Sequence, residues 1–456
     1  MKERNAKTST TKIRDFKYIN NDYLEEVVLE EGITHIGERA FKDCKKLRKI
    51  KLPDSITYIG PGAFSGCENL EEIVLPAGIK RIPSDCFANC RRLKRVIIPN
   101  NVQGIGRAAF TGCDSLEEIT IPESVTTLDK QVFLNCQNLK IVNLPDNFTS
   151  LPDELFRKCP NLEIELSPKI KTLGARVFEK CYHLSHFPEN VISFGEDCFK
   201  NCRNLTDVRL NDKTTELSDG MFDGCIRLTS IKSKNKRVAI GKRTFKDCIS
   251  LKQIPEFVKE YNDRAFENCK SLTSINLTYP YIPFACFRRC SNLKEIKNIE
   301  HLRELGPYAL SGCGFEEIDI SHVNKINPEI LSDCKKLKKV KFSPMVRVIG
   351  PRALFNCASL ESIDFPAAVE TIKKEAFMHC DSVKEITIPS ELKVIGDGAF
   401  SYMDSLERLN VSPRNKVFMT PDHKVLIRED QQNLVLYASG IKDKTYSIKD
   451  YVIEID

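Results

Sequence analysis

No apolar run in the 456 residues approaches the ~18 to 20 that a helix needs to cross a bilayer, which excludes a helical membrane span. The opening Met1-Lys2-Glu3-Arg4-Asn5 leads into Lys7, Lys12 and Arg14 without an apolar segment, so no export signal is visible. The expected location is therefore the cytoplasm, without membrane insertion. Also missing are a phosphate loop, a dinucleotide glycine motif, H-E-x-x-H and the G-x-S-x-G nucleophile elbow. The fragments Gly104-Ile105-Gly106 and Gly396-Asp397-Gly398 are incomplete, and the histidines at 35, 183, 186, 301, 322, 379 and 423 keep no mutual spacing. These gaps argue against catalysis and against a resident cofactor. From Leu24 to about Leu409 there is no Ser/Gly-rich linker or low-complexity tract, although this length would ordinarily divide into about three domains. One architecture, repeated, accounts for that.

What is present is a ladder of cysteines, at 44, 67, 90, 113, 136, 159, 181, 202, 225, 248, 269, 290, 313, 334, 357 and 380. Ten of the fifteen intervals are 23 residues, one is 22 and four are 21, a period that marks stacked supersecondary units. One unit places Phe41, Cys44, Leu47, Ile50, Leu52, Ile56 and Ile59 on an inner side. Phe, Cys and Leu fall three apart, as on a short helical or 3-10 turn, whereas Ile50 and Leu52 alternate with polar residues as in a strand. Pro53, Pro76, Pro99, Pro122, Pro145, Pro366 and Pro389 follow that strand, where a residue without an N–H ends the ladder and turns the chain. A single unit cannot bury its apolar side alone, so the units must stack with parallel strands.

Zinc sites need close cysteine pairs or Cys/His clusters, whereas this chain has one thiol per coil plus Cys86, Cys198 and Cys286. Buried, reduced, metal-free thiols are the expectation. Disulfides between neighbouring coils are the alternative, because stacking could bring cysteine Cα atoms into bridging range.

The segments L-E-E-I-T-I-P-E-S-V-T-T-L-D from Leu116 and V-K-E-I-T-I-P-S-E-L-K-V-I-G-D-G-A-F from Val383 resemble the repeats of the BspA-like, treponemal-type leucine-rich-repeat family. The likeness runs over nearly the whole chain. It implies a repeat solenoid, a right-handed coil or horseshoe with a parallel β-sheet on one face, short helical or 3-10 turns and little α-helix. Leu310, Leu331 and Leu354 depart from the phenylalanine of the pattern, and two strand residues are missing at Leu184–Pro188 and at Leu251–Pro255. The expected organisation is a polar, basic tail over 1–20, a solenoid over 21–410 of about 17 coils, and a hairpin with a partial coil capping it over 411–456. Because the family includes surface adhesins, the leading reading of a protein-interaction scaffold has an adhesin or receptor segment as its alternative. An enzyme with an unrecognised site ranks third.

Exposed positions beside the strand carry Glu25-Glu26, Arg48-Lys49, Glu71-Glu72, Lys94-Arg95, Glu117-Glu118 and Lys140, then Glu316, Glu317 and Asp319 against Lys338, Lys339 and Lys341. Alternating signs on adjacent strands form a self-satisfying lattice. The net charge of +6, from 69 basic and 63 acidic residues, forms no cationic track, which argues against nucleic acid as the main ligand. Between about Leu184 and Asn298 the lattice lapses. There Thr206, Arg209, Ser230, Lys232, Gln253, Thr273, Ser274, Asn276, Tyr279, Tyr281, Lys294 and Lys297 are the candidate contacts for a partner protein, with Tyr261 nearby in the loops.

Overall fold

The computed structural model describes residues 11–430, 432–448, 450 and 452–455. Two compact units divide the chain, residues 1–238 and 239–456, and each is a stack of parallel-strand coils. Each coil carries up to two short strands. In the first unit one row runs Glu26–Val28, Lys49–Lys51, Glu72–Val74, Arg95–Ile97, Glu118–Thr120 and Ile141–Asn143, and resumes at Asp207–Arg209 and Ser230–Lys232. A second row of two-residue strands includes His35–Ile36, Tyr58–Ile59, Arg81–Ile82 and Gly104–Ile105. Within a row the paired strands keep the repeat in register, as in Val27 opposite Ile50 and Ile73 opposite Val96. In the second unit the first row includes Ser274–Asn276, Glu295–Lys297, Glu317–Ile320 and Lys339–Phe342.

Proline punctuates the coil as the sequence implies, and its carbonyl also works. Pro53, Pro76, Pro99 and Pro122 accept the amides of Ile56, Ile79, Val102 and Val125 at 3.0 to 3.3 Å, closing the bend onto an inward aliphatic residue. The Phe-to-Leu stretch has the i to i−3 hydrogen bonds that its spacing suggests, Lys42 to Arg39 and Cys44 to Phe41, but it does not wind into a helix. Left-handed residues interrupt it, two before each phenylalanine and one before each cysteine: Arg39 and Asp43, Asp85 and Asn89, Gln131 and Asn135. The amides of Arg39, Phe41 and Asp43 therefore turn outward to the next coil, donating to Pro61, Ala63 and Ser65. Glycine, Asn and Asp recur before the cysteine because they enter the left-handed region at least cost. Among the described residues the one helix is the 3-10 turn Ile299–His301.

Phenylalanine and cysteine line the core. Phe41, Phe64, Phe87, Phe110, Phe133 and Phe156 are buried, with successive ring centroids 5.5 to 5.8 Å apart and nearly parallel planes. All nineteen cysteines are buried and unbridged. The sulfurs of the one-per-coil cysteines donate to the preceding coil, as Cys67 does to the Phe41 carbonyl at 3.1 Å and Cys136 to that of Phe110 at 3.1 Å, so a weak donor of small volume suits the position better than alanine. Burial pushes the Cys44 thiol up to about 11 and those of Cys290, Cys334 and Cys380 to about 12, which keeps these four protonated and unreactive near neutral pH. Native protein is therefore expected to react slowly with a thiol reagent, and denatured protein to titrate nineteen groups. Near-complete loss of free thiols in material kept from oxidants, or stoichiometric zinc by elemental analysis, would overturn this.

At the chain's end, Phe418–Met419, Val425–Arg428 and Asn433–Tyr437 pair antiparallel, and Glu454–Ile455 adds in parallel to Asn433–Leu434. The hairpin expected within 411–456 is formed by Val425–Arg428 and Asn433–Tyr437; residue 431 lies outside the described residues, as do residues 1–10 of the basic tail. Of that tail, Lys12–Ile13 pairs with His35–Ile36, and Tyr18 stacks on Phe41 at 5.1 Å.

Candidate interaction surface

The charged stripes pair as the sequence implies. Glu26 stands opposite Lys49 and Glu72 opposite Arg95, while Lys140 meets Glu117 at 3.0 Å. In the second unit Lys338 meets Glu316 at 3.1 Å and Lys341 meets Asp319 at 2.9 Å. Burial alone would raise the Asp319 carboxyl, but bonds from Ser321 and Lys341 outweigh it and hold the group at about 2. The three ion pairs are largely exposed, so each contributes little to stability.

The candidate contacts fall in both units. In the first, Arg209 lies opposite Lys232 on paired strands, so two cations stand side by side and no longer alternate with acids. Asp207 accepts the Ser230 hydroxyl at 2.6 Å, and that bond holds its carboxyl below the usual range. Thr206 gives its carbonyl to the Thr229 hydroxyl at 3.1 Å. In the second unit Ser274 and Asn276 lie opposite Glu295 and Lys297, Asn276 also bonds Asn298 at 2.7 Å, and Gln253, Thr273 and Lys294 are exposed. Tyr281 is separated from these, standing in the other strand row opposite Glu304 and half-buried. Tyr279 is 42% exposed. Tyr261 is not a surface aromatic: its ring packs edge-on against Phe266 and Phe287, and its hydroxyl donates to the Asn276 carbonyl at 3.1 Å. Tyr261 belongs to the coil that lacks two strand residues at Leu251–Pro255.

One row of charges escaped the sequence reading. From Phe156 to Phe222 the residue after the core aromatic reads Arg157, Glu179, Lys200 and Asp223, signs alternating along the turns. Arg157 meets Glu179 at 2.7 Å and Glu154 at 3.0 Å, and Lys200 meets Asp197 at 3.4 Å and Asp223 at 3.3 Å. Glu179, Asp197 and Asp223 are buried. Burial raises the Glu154 carboxyl, but bonds from Gln131 and Arg157 outweigh it and hold the group below its ordinary value. The signal was available as alternating signs at the cysteine period.

Stacked parallel coils, most with one inward phenylalanine, cysteine and leucine and an exposed strand row, define a leucine-rich-repeat solenoid. The family described as BspA type leucine-rich repeat region (6 copies) matches residues 11–140, 80–187, 105–228, 185–280, 215–337, 259–380 and 306–420, and the chain belongs to it. A leucine-rich repeat protein from Bacteroides ovatus is similar in structure, with 27% identity over 85% of this chain and 92% of its own, at a TM-score of 0.53. A leucine rich cell surface protein from Faecalibacterium prausnitzii is similar at 24% identity over 63% of this chain and 82% of its own, with a TM-score of 0.39. Among curated proteins none matches the chain. No helix among the described residues is long and apolar enough to cross a membrane.

Proposed function

We propose that the chain is a non-catalytic scaffold that binds a partner protein, with contact centred on the candidate residues of the irregular coils. The observation that supports this most is the turn at Tyr279. The Pro280 carbonyl accepts the amides of Arg303 at 2.8 Å and Glu304 at 3.2 Å, and the Thr278 hydroxyl bonds the Lys259 carbonyl at 2.7 Å. An exposed tyrosine is thus held on a pinned backbone, and such a side chain loses little entropy when an interface buries it. The striped coils offer less, because a partner covering them would desolvate ions that are already paired. Nineteen buried thiols suit a reducing compartment, and the cytoplasm is the setting of this reading.

A pull-down from the native cell, paired with fractionation, supplies the partner and the location. Surface fractionation would replace the cytoplasmic setting with the adhesin alternative. With a partner in hand, Tyr279→Ala combined with Tyr281→Ala is expected to weaken binding at least tenfold, about 1.4 kcal/mol, with the thermal midpoint nearly unchanged. Lys338→Glu with Lys339→Glu should lower stability modestly and change affinity little. The opposite pattern would make the charge lattice the recognition surface.

A further inference from the structure

In the first unit the strand row stops at Asn143 and resumes at Asp207, and the two coils between carry no strand there. The sequence says why. In a regular coil the third and fifth residues after the leucine point inward, as Ile73 and Leu75 do after Leu70. After Leu162 those places hold Glu165 and Ser167, and the apolar residues Ile164 and Leu166 sit one step out of phase. A one-residue shift sends a strand's side chains to the opposite face, and burying Glu165 would be costly, so the segment leaves the ladder. The next coil, Leu184-Ser185-His186-Phe187-Pro188, has lost the fifth-position aliphatic altogether.

The result is a groove of about 320 Å³ lined by Ile164, Leu166, Phe178, Leu184, Phe187 and Pro188, with Glu165, His186, Glu189 and Asn190 at its rim. Phe187 is braced from beneath by Phe199 at 5.2 Å and Phe194 at 5.6 Å. The amides of residues 164–167 and 185–187 make no backbone hydrogen bond, so the two segments that line the groove carry open donors. Glu163 and Glu165 are exposed and enter no ion pair, and Glu189 shares only a 3.9 Å contact with Arg209, both side chains more than half exposed. Lys171 nearby has its ammonium held by the Pro168 carbonyl at 2.7 Å and the Asn190 carbonyl at 3.4 Å, and it enters no ion pair with these carboxylates.

We propose that this groove binds an extended peptide segment of a partner protein in which a large apolar residue is flanked by lysine or arginine. The apolar side chain covers Leu166 and Phe187, the peptide backbone takes the open amides, and the flanking cations meet Glu163, Glu165 and Glu189, so backbone pairing supplies affinity and the pocket and charges supply selectivity. This deepens the partner-binding reading and uses none of the tyrosine turn.

The test is fluorescence anisotropy with two labelled nine-residue peptides, one alternating leucine with lysine and one alternating leucine with glutamate. The lysine peptide is expected to bind at least tenfold more tightly. Glu165→Lys with Glu189→Lys, both exposed positions, should reverse that preference at an unchanged melting temperature, and replacing alternate peptide bonds by (E)-alkene isosteres, which removes the carbonyls that the open amides would bond, should weaken binding at least tenfold. Tyr279→Ala with Tyr281→Ala should leave peptide binding intact. Failure of the lysine peptide to bind, equal affinity for both peptides, an unreversed preference in the charge variant, indifference to the alkene isosteres, or loss in the tyrosine variant each overturns the groove; the first four leave the tyrosine-turn reading untouched.

Discussion

Replacing Phe133 with alanine is expected to destabilise the regular N-terminal coils by about 3 to 5 kcal/mol, the range for emptying a buried phenylalanine site. Its ring is fully buried and stacks between Phe110 at 5.8 Å and Phe156 at 5.7 Å, so the cavity would open between two aromatic neighbours fixed by their own coils. Little can collapse into it, because the Phe133 amide is bonded to the Leu155 carbonyl and holds the coil spacing. Phe133→Leu should cost much less, under about 1.5 kcal/mol, since the second unit carries Leu310, Leu331 and Leu354 at this place, all buried. Coils touch only their neighbours, so hydrogen exchange should quicken first around residues 110–156 and spread outward. Loosening that is even along the first unit, or an alanine variant no weaker than the leucine one, would contradict the stacked-core account.

Periodicity made the core legible because inward positions must repeat if coils are to stack. Phe41, Cys44, Leu47, Ile56 and Ile59 are all buried, as their spacing implied, and the proline bends follow from a missing N–H. The left-handed residues were harder to see, since Arg39, Gln131 and Glu154 stand where glycine also stands, and their conformation is imposed by hydrogen bonds to the next coil. Outward positions obey no such rule. Nothing in the spacing distinguishes Tyr261, wedged against Phe266 and Phe287, from Tyr279, exposed on its turn; only the path of a shortened coil separates them. The groove could have been read from the phase slip at Ile164 and Leu166, because the strand alternation is intact and merely offset.

The ionic row along the turns gives the second large effect. Glu179→Lys is expected to cost about 3 to 4 kcal/mol, the lower part of the range for breaking a buried pair, because Arg157 keeps Glu154 and some solvent contact. The new ammonium would sit in a buried site where Arg157 now donates at 2.7 Å, with Lys200 at the equivalent place of the next coil, so three cations would follow one another. Glu179→Leu, of similar size but uncharged, should cost only about 1 to 2 kcal/mol: it removes one charge-assisted bond and leaves Arg157 its pair with Glu154. Denaturation of the two variants at neutral pH separates charge from packing. If leucine is as damaging as lysine, the carboxylate's shape matters more than its sign. If lysine is as mild as leucine, the row is effectively solvated, and alternating signs along the turns do not help set the order in which the coils stack.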